Sequence, residues 1–383
     1  MGYIGRTPTG SILTSADIAD GSISTAKLED NAVTTAKITD NAVTAAKYVE
    51  YPAYRNLIIN GDMSIAQRGT SHSIGSNATY RIDRWRDGAI YNTSAPTGVF
   101  TVSQSTDVPS GQGFASSQKW DCTTAQSSLG AEQGWGVQQR IEAQNLTHLA
   151  FGTSSAKTLT LTFWIKSNKT GTYGIEVRSH DASRQFISSY TIDSANTWEK
   201  KTITITGDTG GSGIANDNGI GFWVRWIWSA GTTIDGATLN SWTATATEIA
   251  PTGQVNLADS TSNELYWTGA QLEVGTTASD FEFLPHDVNL RRCERYYETN
   301  EGGYQGPVYG TASDMRVTVQ FRTKKRANPT LIQISSNENC CSGVTVVVGS
   351  IDETLGARVQ GTNVFSAGAG KFFNSKFSAD AEL

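Results

Sequence analysis

The sequence predicts an all-β protein: a jelly-roll-like antiparallel sandwich, a smaller C-terminal β domain, an extended repeat-containing N-terminal arm and one short linking helix. Three observations lead there. Thr alternates with Ile, Val and Leu in many segments, as in Thr158-Leu-Thr-Leu-Thr-Phe-Trp-Ile-Lys166, and a period of two puts one face of a strand in a core. Loops rich in Gly, Asn, Asp and Ser separate these segments, with no helical stretches between them, the pattern of a sandwich. The 383 residues include 38 Gly and 10 Trp but only 17% charged residues, which suits strands and turns better than surface helices. A chain this long also exceeds one compact core and divides into domains.

Residues 1–50 form the arm. Its apolar residues Ile18, Ile23, Leu28, Val33, Ile38, Val43 and Tyr48 recur at every fifth position. Five residues advance an α-helix by about 140°, so these side chains spiral around it without forming a stripe. On a strand an odd spacing puts successive ones on opposite faces. Asp20-Gly21, Asp30-Asn31 and Asp40-Asn41 supply a turn signal per repeat, and Thr25 and Thr35 can each cap one helical turn. A thread this thin cannot cover its own apolar residues and has to intertwine or stack. Several identical chains wound together would cover them; a disordered linker is the bland alternative, and the regular spacing argues against it.

Residues 51–288 read as the sandwich. Asn56-Leu-Ile-Ile-Asn-Gly-Asp62 runs into an Asn-Gly turn. Strands follow at Thr158–Lys166, Tyr173–His180, Lys201–Thr206, Gly221–Trp228 and Leu265–Val274. A linking helix is expected at 289–298, with Leu290, Cys293 and Tyr297 on one face and Asp287 or Asn289 as its cap. Alternation returns at Met315–Arg322 and Val344–Val348, which makes 299–383 a C-terminal β domain.

Several classes are excluded. A net charge of −6 does not provide the basic stripe that a nucleic-acid partner requires. No apolar run approaches the ~18 residues of a membrane span, so no membrane insertion is expected. The N-terminus lacks the apolar core of a signal peptide, which implies assembly in a cytosol. Cys122, Cys293 and the adjacent Cys340-Cys341 have no metal-site spacing and read as reduced thiols. His72, His148, His180 and His286 stand in no nucleophile pattern. Gly207-Asp-Thr-Gly-Gly-Ser-Gly213 lacks the Gly-Lys-Ser/Thr ending of a phosphate loop. Asp208, Asn216, Asp217 and Asn218 carry oxygen ligands suited to calcium, but such loops are usually turns. No enzyme, cofactor or metal is expected.

Binding has more support. With the aliphatic face of each strand assigned to the core, the opposite face carries Trp164, Glu176, Arg178, Trp223, Arg225, Gln271 and Glu273. Aromatic rings beside fork-shaped polar side chains suit a sugar, whose CH groups stack and whose hydroxyls hydrogen-bond. The same residues suit a subunit interface equally well, and an ordinary solvated face stays open too.

Certain blocks resemble known proteins. Arg55-Asn-Leu-Ile-Ile-Asn-Gly-Asp-Met-Ser-Ile-Ala-Gln-Arg-Gly-Thr70 followed by Tyr80-Arg-Ile-Asp-Arg-Trp85 resembles the opening of a β-sandwich domain in bacteriophage tail fibre and appendage proteins. Tyr266-Trp-Thr-Gly-Ala-Gln-Leu-Glu-Val-Gly275, then Phe281-Glu-Phe-Leu-Pro285 and the segment Arg292–Glu298, resembles its close. The decapeptides resemble the N-terminal arms of such fibres, and Lys325–Thr330 and Ser378–Leu383 their distal domains. The resemblance implies a homotrimeric virion fibre, assembled in the host cytoplasm. Its arm would bind a tail hub or adaptor protein, its sandwich would be like a carbohydrate-binding module, and its distal part would attach to host surface glycan. A structural connector between the tail and a separate receptor-binding protein is the alternative.

Overall fold

The computed structural model describes residues 54–299, 304–307, 315–337, 346–352, 356–361 and 372–383. The arm, with Ile18, Ile23, Leu28, Val33, Ile38, Val43 and Tyr48, lies outside the described residues.

Strands β1 (Ser71–Ile74), β2 (Thr79–Tyr80), β3 (Arg86–Ile90), β4 (Val99–Ser105) and β5 (Ser117–Thr124) come first. Next are β6 (Gly134–Glu142), β7 (Leu159–Ser167), β8 (Gly171–Ser179) and β9 (Arg184–Ile192). β10 (Glu199–Ile205), β11 (Ile220–Ala230), β12 (Trp242–Ala244) and β13 (Glu264–Val274) complete the sandwich. One sheet has the order β1-β4-β5-β13-β7-β10 and the other β12-β9-β8-β11-β6-β3-β2. All the ladders between these strands are antiparallel. The chain crosses repeatedly from one sheet to the other, as in a jelly roll.

The alternation sends the expected residues inward. Leu161, Phe163, Ile165 and Leu272 of the first sheet meet Ile175, Val177, Val224 and Trp226 of the second, all fully buried. Each such side chain contributes roughly 1.5–3 kcal/mol by leaving water. Trp85 sits at the centre, edge-on to Trp226 at 5.6 Å and to Trp267 at 4.7 Å. Val274, at the end of β13, is exposed.

One polar cluster lies inside this core. Gln118 Oε1 accepts from the indole N–H of Trp120 and of Trp267, and its Nε2 donates to Asp87 Oδ1 at 2.9 Å. Burial pushes the Asp87 carboxyl up to about 8, against the Gln118 hydrogen bond and the attraction of Arg81.

The opening and closing blocks of the sandwich are hydrogen-bonded to each other. Asn56 accepts from the Leu272 amide and donates to the Ala270 carbonyl. At the Asn-Gly corner Asn60 takes a left-handed φ of 57°, and its side chain bonds Ile65 and Asp83. A Cβ on Gly61 would stand 2.1 Å from the Ala270 carbonyl oxygen, so only glycine fits. Blocks far apart in sequence thus form one corner.

Helix α1 runs His286–Glu294, three residues earlier than expected, and stops before Tyr297. Its N-cap is Pro285 with no side-chain cap bond, so neither Asp287 nor Asn289 caps it. Asn289 instead donates to Asp62 and Ser64. Leu290 and Cys293 do face inward, onto Ile59, Ile65 and Tyr296. Tyr297 leaves the helix face because strand β14 (Tyr297–Thr299) pairs with β20 (Phe372–Asp380): its backbone is satisfied by a ladder, not by another helical turn.

Beyond it stand β15 (Tyr304–Pro307), β16 (Met315–Val319), β17 (Thr330–Asn337), β18 (Val346–Asp352) and β19 (Gly356–Gly361). β14, β15 and β17 all pair with β20, and β19 lies between β16 and β18. The last residues return to the sandwich. Glu382 pairs with the buried Arg84, whose guanidinium lies 3.4 Å from the centroid of the Tyr296 ring, and the Tyr80 hydroxyl donates to the Leu383 carbonyl at 2.7 Å. Among the described residues no helix is long and apolar enough to cross a membrane.

Candidate functional site

Strands β8, β11, β6 and β3 lie side by side in the second sheet, and their registers set ranks of outward side chains. Trp223 stands between Arg140 of β6 and Arg178 of β8. One step along, Arg225 stands between Gln138 and Glu176, and Gln138 is opposite Arg86 of β3. Of the expected face, Glu176, Arg178, Trp223 and Arg225 therefore come together.

Arg178, Trp223 and Arg225 line a concave groove of about 960 Å3 on the outer face of this sheet, and Glu176 is buried beside them. One end is closed by a small apolar cluster in which Ile234, Ile249 and Ala250 pack over Ile227. Arg86, Gln138 and Tyr91 also line the groove, and the Tyr91 ring is exposed at its edge. The segment 245–247 and the turn at 76–78 make further wall.

Trp223 is surrounded by cations. The guanidinium carbons of Arg140, Arg178 and Arg225 stand 4.9, 5.1 and 5.4 Å from its ring centroid, within cation–π range. The His180 imidazole stacks 5.8 Å away at 17°. Glu176, with no exposed surface, is shared: Arg178 Nη2 lies 2.7 Å from one oxygen and Arg225 Nη1 2.8 Å from the other. Arg225 further donates from Nε and Nη2 to Gln138 Oε1 at 3.0 Å. Burial, then the like charges of Arg178 and Arg140, weaken Arg225's hold on its proton, with Glu176 opposing them.

Gln271 and Glu273 lie on the other sheet, in β13, and are buried by their own chain. Gln271 donates to Glu273 at 3.0 Å and to Ser279 at 3.1 Å, and accepts from the Glu282 amide at 2.8 Å. Glu273 accepts from the Ser279 amide and hydroxyl, with Arg55 Nε 3.6 Å away. Glu282 in turn accepts from the amides of Tyr54, Arg55 and Asn56. These carboxylates pin backbone and leave no opening. Trp164, on β7 of the same sheet, is half-buried beside Lys200 and Thr268. The expected face is two faces on opposite sides of the sandwich, because alternation says in or out but not which sheet.

The expected face lacked Arg86, Gln138 and Tyr91, which line the groove, and Arg140, which stands beside Trp223. A signal existed in Gly134-Trp-Gly-Val-Gln-Gln-Arg-Ile-Glu142, where Trp135, Val137 and Ile141 turn inward and leave Gln138 and Arg140 outside. Glycines at every second position hid that strand.

The acidic loop residues act as turn and tether. Asp208 binds Arg184 Nε at 2.7 Å and the Gly210 amide, Asp217 caps the Gly219 amide, and Asn218 donates to the Arg326 carbonyl. Among the described residues no three His, Cys, Asp or Glu side chains gather as for a metal ion.

No protein family matches the chain, and no curated protein does. Solved structures share part of its outline. A putative sugar binding protein from Bacteroides thetaiotaomicron matches 57% of this chain and 100% of its own at 14% identity and TM-score 0.32. A family 11 carbohydrate-binding module from Clostridium thermocellum, in complex with a mixed-linked tetrasaccharide, matches 54% and 96% at 10% identity and TM-score 0.26. The enzymatically active domain of bacteriophage CBA120 tailspike protein 4 matches 58% of this chain but spans 22% of that one, at 12% identity and TM-score 0.30. Likenesses this distant carry no functional conclusion, which rests on the groove itself.

Proposed function

We propose that the groove on the second sheet binds glycan, and that the chain is a non-enzymatic virion fibre that attaches a phage to its host cell surface. The observation that carries the binding reading is the concave groove holding Trp223, Tyr91, Gln138 and arginine forks in one place. A sugar ring stacks on an aromatic face while its hydroxyls bond the forked donors. A recess of this volume suits a small ligand or one stretch of a polymer better than the flat surface of another subunit.

The fibre reading is supported by the blocks Arg55–Thr70, Tyr80–Trp85 and Tyr266–Pro285, which resemble those of phage appendage proteins, and by the five-residue repeat of the arm. In this reading three chains wind together through the arm, which binds a tail hub or adaptor. Weak glycan contacts then sum, since linked sites raise the effective concentration of one another.

The test is a panel of neutral and acidic polysaccharides presented to the full chain and to Trp223→Ala, with native mass in parallel. Binding lost in Trp223→Ala and a trimeric mass support the proposal. Absence of binding across the panel removes the glycan reading and favours a connector fibre, and a monomeric mass removes the intertwined arm.

A further inference from the structure

The groove is cationic in a chain whose net charge is −6. Arg86, Arg178 and Arg225 line it, with Arg140 beside Trp223. Glu176 is already shared by Arg178 and Arg225, Glu132 at the rim accepts from the Thr93 hydroxyl, and Arg140 donates to the Leu383 carbonyl and is drawn by Glu382. Among the described residues the Arg86 side chain has neither a carboxylate nor a hydrogen-bond acceptor. Arg86 and Arg225 flank Gln138 from the two neighbouring strands, and burial and that like charge both weaken the hold of Arg86 on its proton, against the Tyr80 hydroxyl.

Two hydrogen-bond donors in the wall are unmet. Gln138, 4% exposed, has an amide Nε2 with no partner, and the indole Nε1 of Trp223 has none either. Buried donors without acceptors cost stability, and so do like charges held together. A surface that accumulates unpaired donors and cations around an aromatic ring is complementary to a ligand that brings acceptors and negative charge.

We infer that the groove takes an acidic polysaccharide, one carrying carboxylate groups on its sugars, with Arg86 as the guanidinium that meets the ligand carboxylate. This rests on the glycan reading above and narrows it. A planar carboxylate fits a guanidinium fork with two parallel N–H···O bonds. Trp223 and Tyr91 offer the faces on which the ring carrying it stacks. Arg178 and Arg225, held by Glu176, set the positive field without competing for the same acid.

The experiment compares the full chain against polygalacturonate, alginate and polysialic acid, and against each polymer after its carboxyl groups are reduced to alcohols. Arg86→Gln is measured alongside, for binding and for thermal unfolding. The inference predicts at least one acidic polymer bound about tenfold or more tighter than its reduced form, with affinity falling as salt rises. Arg86→Gln weakens that binding by a similar factor, leaves the reduced polymer unaffected, and does not lower the melting temperature, since one of several like charges around Gln138 is removed. Equal or tighter binding of the reduced polymers overturns the acidic ligand and leaves the glycan reading standing. No binding to either set overturns both. An Arg86→Gln variant that melts lower and binds acidic polymer unchanged removes Arg86 from the role.

Discussion

On the outer face of the first sheet Lys166 pairs with Asp107, which also accepts from the Trp198 indole at 3.0 Å, and Lys119 pairs with Glu264 at 2.8 Å. On the outer face of the second sheet Arg178 and Arg225 divide one carboxylate, and among the described residues Arg86 has none. Both faces offer aromatic rings to cations: Lys166 stands over Trp198 and Tyr266, and three arginines surround Trp223. The first face is balanced and partly covered, since Gln271, Glu273 and Glu282 pin the chain across it. The second is concave, and its charges are unbalanced. Residue types alone do not make a binding surface; what distinguishes one is hydrogen-bonding and charge capacity that the chain leaves unused.

The largest test of this contrast is Glu176→Gln. It leaves Arg178 and Arg225 without their shared charge in a crowded cationic site, at a cost of about 3–5 kcal/mol in denaturant unfolding. Glu273→Gln on the first face keeps a hydrogen-bonding amide among Gln271 and Ser279 and gives up one partly exposed cation, Arg55 at 3.6 Å, so it costs about 1–2 kcal/mol. Equal costs would erase the difference between the faces.

The core between them gives a second test. Asp87, with its pKa pushed up to about 8, keeps a proton in the fold that the unfolded chain releases near pH 4. Stability is therefore highest below about pH 4 for this group and falls as pH rises to about 8, by on the order of 5 kcal/mol. Asp83, raised to about 6 chiefly by burial, acts in the same sense. Asp87→Asn removes the first contribution, so its advantage over the parent in unfolding midpoint grows between pH 5 and pH 8. An advantage that is constant with pH would show that Asp87 is ionised inside the core.

Trp223→Ala is expected to change stability by less than about 1 kcal/mol, as a half-buried residue outside the core does, while abolishing polysaccharide binding. Trp164→Ala, on the balanced face, leaves binding unchanged; loss there would move the site to the first sheet. The smallest effect concerns Cys122 and Cys293, both buried, with thiols pushed above their usual range by burial. Alkylation followed by peptide mass spectrometry should label neither in the native protein and both after unfolding.

Much of the fold was legible because alternation is local. Leu161, Phe163, Ile165, Val224 and Trp226 lie inside as their spacing requires, and the pleat gives no other choice. The helix boundary was less legible, because Tyr297 answers to β20 more than 75 residues away. The site was half legible. Glu176, Arg178, Trp223 and Arg225 could be placed on outward faces, but nothing local separates them from Gln271 and Glu273, which face out with the same pattern.

The sequence by itself determined which side chains turn inward, where the Asn60-Gly61 corner falls, and that the chain has more arginine forks and indoles on its strand exteriors than solvation needs. The tertiary structure decided which exteriors share a sheet, which of them the segment 279–283 covers, and that Arg86 and Arg225 flank the neutral Gln138. The physical reason is range. Inward and outward are set by backbone sterics within two residues, whereas a groove exists only when strands distant in sequence, β3, β6, β8 and β11, are brought edge to edge by their ladders.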